Sequence, residues 1–209
     1  MTEFVGHYHD WRKTRIKKLI SILGHDFFKE ATILELGCGY GHIGRHFIDT
    51  YNSDVTFCEG SSRNEKGFKK VNPDKELIIL DQDKSYNLKK KFDLVIHWGV
   101  LYHLKNWKKD LRCCLKHSNL ISLETETLDS DVLKDKLEKQ ENPVNDQAVN
   151  GIGVRVPAIV IEKYLESLGC TYTRYDDVNL NSVSHRYDWE VKNSKKTGSQ
   201  FRRFWIVKK

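Results

Sequence analysis

From Glu35 to Gly41 the chain reads Glu-x-Gly-x-Gly-x-Gly, directly after the apolar pair Ile33-Leu34. Glycines at that spacing let a chain turn sharply off a strand and press bare backbone against a ligand. A second acid, Glu59, closes the run Val55-Thr56-Phe57-Cys58-Glu59. It falls about 20 residues further on, where α/β nucleotide folds place a carboxylate on ribose hydroxyls. Together these residues suit the capture of a nucleoside cofactor.

Register decides which cofactor. A dinucleotide pattern, Gly-x-Gly-x-x-Gly, can be read at Gly39, Gly41 and Gly44, but it leaves Gly37 and Glu35 without a role. Read from Glu35, the run resembles motif I of the class I S-adenosylmethionine-dependent methyltransferases. Lys91-Phe92-Asp93-Leu94-Val95-Ile96-His97-Trp98-Gly99-Val100-Leu101-Tyr102-His103-Leu104 is similar to the fourth-strand motif of the same family. The resemblance covers residues 31–126, with the motifs in the expected order.

That resemblance implies S-adenosyl-L-methionine as cofactor and S-adenosyl-L-homocysteine as its product. It implies that Glu35, Gly37, Cys38, Gly39 and Gly41 meet the methionine part of the cofactor. Glu59, with Gly60 beside it, would hold the ribose, and Asp81 or Gln82 the adenine. Trp98 and Gly99, ending the fourth strand, complete the cofactor set. The implied fold is a doubly wound α/β Rossmann-like sheet of seven mostly parallel strands, the last antiparallel.

Methyl transfer from a sulfonium is an in-line displacement that depends on alignment. A hydroxyl or ammonium acceptor must also lose a proton, and a positioned base assists that step. His103 is the first candidate, because the loop after the fourth strand faces the transferable methyl in this family. His185, in the late segment Ser184-His185-Arg186-Tyr187-Asp188-Trp189, is the second. Tyr8, Tyr102, Arg155, Tyr187, Asp188 and Trp189 are the substrate-side candidates. A short Gly-Val-Leu-Tyr-His run also occurs in transferases that modify the tRNA wobble base with a carboxylated donor. The leading expectation is a small polar acceptor such as a sugar, methylated on oxygen or nitrogen; a tRNA-modifying methyl- or carboxymethyl-type transferase is the alternative.

The elements that must position these groups alternate as a doubly wound sheet requires. A helix is expected over 8–23, then strands at 32–36, 54–58, 76–80, 92–98 and 120–125. Helices are expected from Gly41, over 106–116 and from Pro157 to Leu168, with strands at 170–176 and 200–207. The whole reads as one domain: an N-terminal helical lid (1–30), a cofactor core (31–126), and substrate-side insertions at 127–156 and 177–199. The first insertion carries an expected helix at 130–140. Loops of this length in a compact domain are commonly lids.

Composition narrows the class further. The net charge of +6 reads as solvated lysines rather than a nucleic-acid face, since acids are interspersed throughout. No leader opens the sequence and no run approaches the ~18 apolar residues of a membrane helix, so a cytoplasmic protein is expected. The five cysteines lack metal-type spacing and are expected to be reduced thiols. Glu124, Glu126, Asp129 and Asp131 read as a solvated acidic turn, and no metal is expected. The pair Tyr86-x-x-x-Lys90 matches a dehydrogenase spacing but lies before the fourth strand, where no such site belongs. Oligomeric state is not legible.

Overall fold

The computed structural model describes residues 6, 8–128, 137–141, 148–189 and 201–209. Helix α1 (Tyr8–Leu23) leads into β1 (Thr32–Leu36), α2 (His42–Tyr51), β2 (Asp54–Glu59), α3 (Glu65–Val71) and β3 (Leu77–Ile79). Then follow β4 (Leu94–Trp98), α4 (Trp107–His117), β5 (Leu120–Leu128), β6 (Leu137–Gln140) and β7 (Ile152–Pro157). The chain closes with α5 (Ala158–Ser167), β8 (Thr171–Arg174) and β9 (Phe201–Lys208).

The sheet runs β3-β2-β1-β4-β5, all parallel, with β9 antiparallel along β5 and β8 antiparallel to β9. Side chains alternate between two cores, as strands covered on both faces require. Leu34, Leu36 and Val95 face α4 and α5, while Ile33, Leu94 and Ile96 face α1 and α2. This is the expected Rossmann-like architecture with its antiparallel last strand.

Two additions stand outside that plan. The described sheet has nine strands, not seven, because β6 and β7 form an antiparallel hairpin that joins β5. Strand β4 pairs with β5 only as far as Trp98↔Glu124, and β7 takes over at Thr127↔Val156 and Leu128↔Pro157. Residues 137–140, within the expected helix at 130–140, are therefore strand β6; residues 130–136 lie outside the described residues. Leu137 pairs with Arg155 and Gln140 with Ile152, and ladder hydrogen bonds outweigh local helix propensity there.

The glycine loop is fixed by close approach. Gly37 has φ +62°, and a Cβ there would overlap Val100 in the loop after β4. Gly44 lets α2 pack onto β2, since a Cβ would collide with Phe57, Val55 and the Glu35 carboxylate. Both readings of the glycine register thus have a physical use: Gly37 brings two loops together, and Gly44 seats the helix.

Candidate active site

At the carboxyl ends of β1, β2 and β4 lies a cleft of about 1090 Å³, its open mouth included. This is the edge where doubly wound sheets bind ligands. Of the eleven expected cofactor residues, ten line it: Glu35, Gly37, Cys38, Gly39, Glu59, Gly60, Asp81, Gln82, Trp98 and Gly99. Gly41 does not; it caps α2 in the left-handed region, φ +72°, behind the lining. Helix α1 covers the cleft with Tyr8, Trp11 and Arg12.

The two acids of the sequence motif hold the loop itself. Glu59 accepts from the Gly39 backbone N–H at 2.8 Å and from Ser61 N–H at 3.0 Å. Glu35 Oε2 accepts from Gly44 N–H at 2.8 Å, capping α2 from a neighbouring strand. Burial pushes the Glu35 carboxyl up to about 8, against the pull of that hydrogen bond and of Arg12. Folded protein thus keeps a proton that the unfolded chain releases near the ordinary carboxylate range. Stability from this site is therefore present at low pH and falls as pH rises through roughly 4.5 to 8.

Glu35→Gln should accordingly stabilise the free protein at pH 8 relative to the parent, measured by urea unfolding. A cationic ligand beside Glu35 would drive its ionisation, so binding at pH 7 should release a proton. Calorimetry in buffers of different ionisation heat reads that release, and its absence in the parent would remove Glu35 from the ligand's charged end.

At the opposite end, Gln82 donates through Nε2 to Asp110 at 3.1 Å. That commitment leaves its carbonyl oxygen for a ligand. Asp110 also takes Tyr86 OH at 3.1 Å and His97 Nε2 at 2.6 Å. With Cys114 these groups make a buried trio of metal-type side chains, His97, Asp110 and Cys114. The protein donors already occupy the Asp110 oxygens. The hairpin turn closes over this end: Asn150 Nδ2 donates to Asp83 at 3.0 Å, and Val149 overhangs Gly60.

The far end carries a charge network absent from the expectations. His103 lines the cleft; its Nδ1 contacts Glu141 Oε2 at 2.5 Å, and its Nε2 is buried without a partner among the described residues. Glu141, just past β6, is held by Arg155 Nη1 at 2.5 Å, whose Nη2 reaches Glu126 at 3.0 Å. Burial would raise the Glu141 carboxyl, yet His103 and Arg155 prevail and hold it below its ordinary value. Beside this chain, Glu124 accepts from Arg15 Nη2 at 2.8 Å and from Arg202 Nη1 at 2.8 Å. Arg202 Nη2 donates to Tyr102 OH at 3.2 Å.

Glu124 and Glu126 are therefore not a solvated turn, since both are buried and ion-paired. Strand β5 runs on to Leu128 because β9 and β7 pair its last residues, carrying both acids inside. Asp129 and Asp131 lie outside the described residues.

Of the other expected residues, Tyr8 and Tyr102 line the cleft, whereas Arg155, His185, Tyr187, Asp188 and Trp189 do not. Arg155 sits behind the lining as the clamp on Glu141. Tyr187 lies over the far side of Arg202, its ring 4.5 Å from the guanidinium carbon. His185 lies tilted against Tyr8, ring centroids 4.7 Å apart, one residue removed from the cleft. Trp189 is 1% exposed and spends its indole N–H on Asn181, so it belongs to the core. Asp188 uses its carbonyl for Arg202 N–H and Arg203, and bridges to Phe201. All five cysteines are free thiols.

Sequence reasoning missed Arg12, Arg15, Arg202, Glu141 and the roles of Glu124 and Glu126. A signal existed for the last two: acids two apart in a strand share one face. Nothing local announced Glu141, which meets His103 across 38 positions.

The sequence model of a family described as a methyltransferase domain matches residues 8–174. No curated protein matches significantly. Among solved structures, the N-terminal domain of EvdMO1, crystallised with S-adenosylhomocysteine and D-fucose, superposes with TM-score 0.67 at 18% identity, over 96% of this chain and 82% of that one. An S-adenosylmethionine-dependent methyltransferase from Mesorhizobium loti gives 0.65 at 13%, over 94% and 98%. The plantazolicin methyltransferase BpumL, in complex with a triazolic desmethylPZN analogue and S-adenosylhomocysteine, gives 0.61 at 16%, over 96% and 85%. At such identities the likeness is one of fold.

Proposed function

Because the chain belongs to the methyltransferase domain family, with the fold of the class I S-adenosylmethionine-dependent enzymes, we propose that it methylates a hydroxyl of a small polar molecule. The observation that carries this reading is His103, which lines the cleft with Nδ1 committed to Glu141 and Nε2 buried without a partner among the described residues. A base oriented by a carboxylate is suited to deprotonating a hydroxyl. We assign residues 1–209 to one such domain, with α1 and the β6–β7 hairpin as its lids.

The cleft fits the cofactor. The Gly37–Gly41 loop offers close backbone, Glu59 a carboxylate for the ribose, and Gln82 an acceptor for the adenine amino group. Bound there, S-adenosylmethionine supplies an electrophilic methyl group. His103 Nε2 takes the acceptor proton as oxygen attacks, and Glu141 steadies the resulting imidazolium. Arg155 keeps Glu141 ionised and in place. Trp98, its indole N–H on Ser122 at 2.8 Å, walls the cleft with Val100 and Leu104.

Glu59→Ala should weaken S-adenosylhomocysteine binding by about 10–100-fold, the worth of one lost charge-assisted contact. Calorimetry checks this, and unchanged affinity would displace the ribose from Glu59.

Of the proteins of similar fold, one was crystallised in the presence of S-adenosylhomocysteine and D-fucose and another in complex with a triazolic desmethylPZN analogue and S-adenosylhomocysteine, which supports a small acceptor. A tRNA substrate has less support. The basic side chains Lys13, Lys17 and Arg186 surround a shallow groove on the face of α1 opposite Tyr8 and Arg12, and Asp10 lies among them. No helix among the described residues is long and apolar enough to cross a membrane.

The test is an acceptor screen with labelled cofactor, covering sugars, hydroxy acids and unmodified tRNA. A methyl ether on a small molecule is expected by mass spectrometry. Label in tRNA alone, or on nitrogen alone, would overturn the proposal.

A further inference from the structure

Three guanidiniums and three carboxylates meet at the far end of the cleft, and they are not evenly mixed. Arg155 stands between Glu126 and Glu141, so that half is rich in anion, and it is the half that holds His103. Arg15 and Arg202 share the single carboxylate of Glu124, so the other half is rich in cation. Arg15 is wholly buried, its Nη1 reaching Trp11 O and Leu180 O and its Nε without a partner among the described residues. Arg12, half-buried, lines the cleft with Glu35 among its charged neighbours; Arg202, 6% exposed, lines it too. Buried charge in excess of its partners is costly unless something pairs with it.

The donors around Arg202 have the form of an anion site. Its guanidinium carbon lies over two aromatic rings, that of Tyr102 at 5.0 Å and that of Tyr187 at 4.5 Å. Its Nε is buried without a partner among the described residues. Tyr102 OH accepts from Arg202 Nη2, which leaves the phenolic proton to be donated elsewhere. Of the neighbouring acids, Glu126 bonds Arg155 through Oε2 and keeps its Oε1 without a partner among the described residues; the other two are committed. Both Glu124 oxygens are spent on Arg15 and Arg202, and Glu141 is spent on His103 and Arg155.

We propose that Arg202, Tyr102 and Arg12 form a subsite for an anionic group, a carboxylate or a phosphate, carried by the acceptor. The acceptor is thus a charged alcohol, its anion on Arg202 and its hydroxyl at His103. This rests on the reading of the cleft as an acceptor site, and the two halves of the network divide the work. The cation-rich half orients the substrate, and the anion-rich half stabilises the protonated base.

The test uses protein saturated with S-adenosylhomocysteine and three probes: D-glucuronate, D-glucose and inorganic phosphate. Glucuronate and glucose differ by one carboxylate in place of a hydroxymethyl group. Titrations followed by calorimetry should show saturable binding of glucuronate and phosphate, with each competing for the other. Glucose should bind at least about tenfold more weakly. Arg202→Gln should lose at least about tenfold in anion affinity with S-adenosylhomocysteine binding retained, and Arg12→Gln, which leaves Glu124 paired, should lose less.

Equal binding of glucose and glucuronate, no saturable anion binding, or anion binding unchanged in both variants would each overturn the subsite. Phosphate and glucuronate binding without mutual competition would overturn it as well. The base is tested separately by the pH dependence of His103 variants. A failed anion titration therefore leaves His103 standing, and a flat His103 profile leaves the anion site standing.

Discussion

His103→Gln is expected to lower turnover by about 10²–10⁴-fold, the range of a positioned general base, while S-adenosylhomocysteine affinity stays within about threefold. In the folded protein Nε2 is buried without a partner among the described residues, and Nδ1 is fixed by Glu141 at 2.5 Å. Glutamine fills similar space but cannot carry the acceptor proton away. The remaining rate should rise with pH, as hydroxide or an ionised acceptor replaces the base.

Glu141→Gln separates orientation from basicity. The amide keeps the shape but no longer stabilises the imidazolium, so turnover should fall while cofactor affinity is unchanged. Imidazole nitrogen NMR gives a readout without any acceptor, because the proton pinned on Nδ1 should lose its preference in that variant. A full rate in His103→Gln would mean that alignment alone carries the transfer.

The second large effect is on stability. Glu124→Ala is expected to cost about 3–5 kcal/mol, since it leaves Arg15 and Arg202 buried together without their shared carboxylate. Burial alone would push the Glu124 carboxyl up, but the two guanidiniums outweigh it and hold the carboxyl below its ordinary value. Urea unfolding measures the loss, with an unchanged denaturant slope showing that the transition compared is the same. Replacement of Glu124 together with both arginines by apolar residues should recover much of the loss, because buried pairs repay their own desolvation poorly. A loss below about 1 kcal/mol, the worth of an exposed pair, would mean that the network is solvated.

These two effects fall on parts of the site that differ in how they are encoded. The proposed cofactor half is local. Glu35, Gly37, Gly39 and Glu59 lie on two consecutive strand–loop units, so their spacing follows from the geometry of βαβ chain reversal. Core strands such as β1 and β4 could be read as well, as apolar runs covered on both faces, whereas β6 and β7 were not. The place of His103 in the lining was legible because the short turn that carries it, Leu101–His103, comes soon after β4.

The acceptor half is assembled across long sequence separations. Arg15 meets Glu124 from α1, Arg202 reaches Glu124 from β9, and Glu141 arrives on a hairpin inserted after β5. Arg202 sits opposite Glu126 in the ladder yet bonds Glu124 on the diagonal, a choice made by packing. Trp189 shows the converse. Its polar neighbours made it look like a binding residue, but the indole fills the core beneath α1. Polar type alone does not say which way a loop side chain turns.

The measurement that bears most directly on the account is calorimetric titration of the purified protein with S-adenosylhomocysteine, with NAD as the control ligand. Micromolar, one-to-one binding of S-adenosylhomocysteine, weakened in Glu59→Ala and with no heat from NAD, is the predicted result. Binding of NAD alone would assign the loop to the Gly39–Gly44 register and contradict the account; binding of neither would contradict the assignment of the cleft.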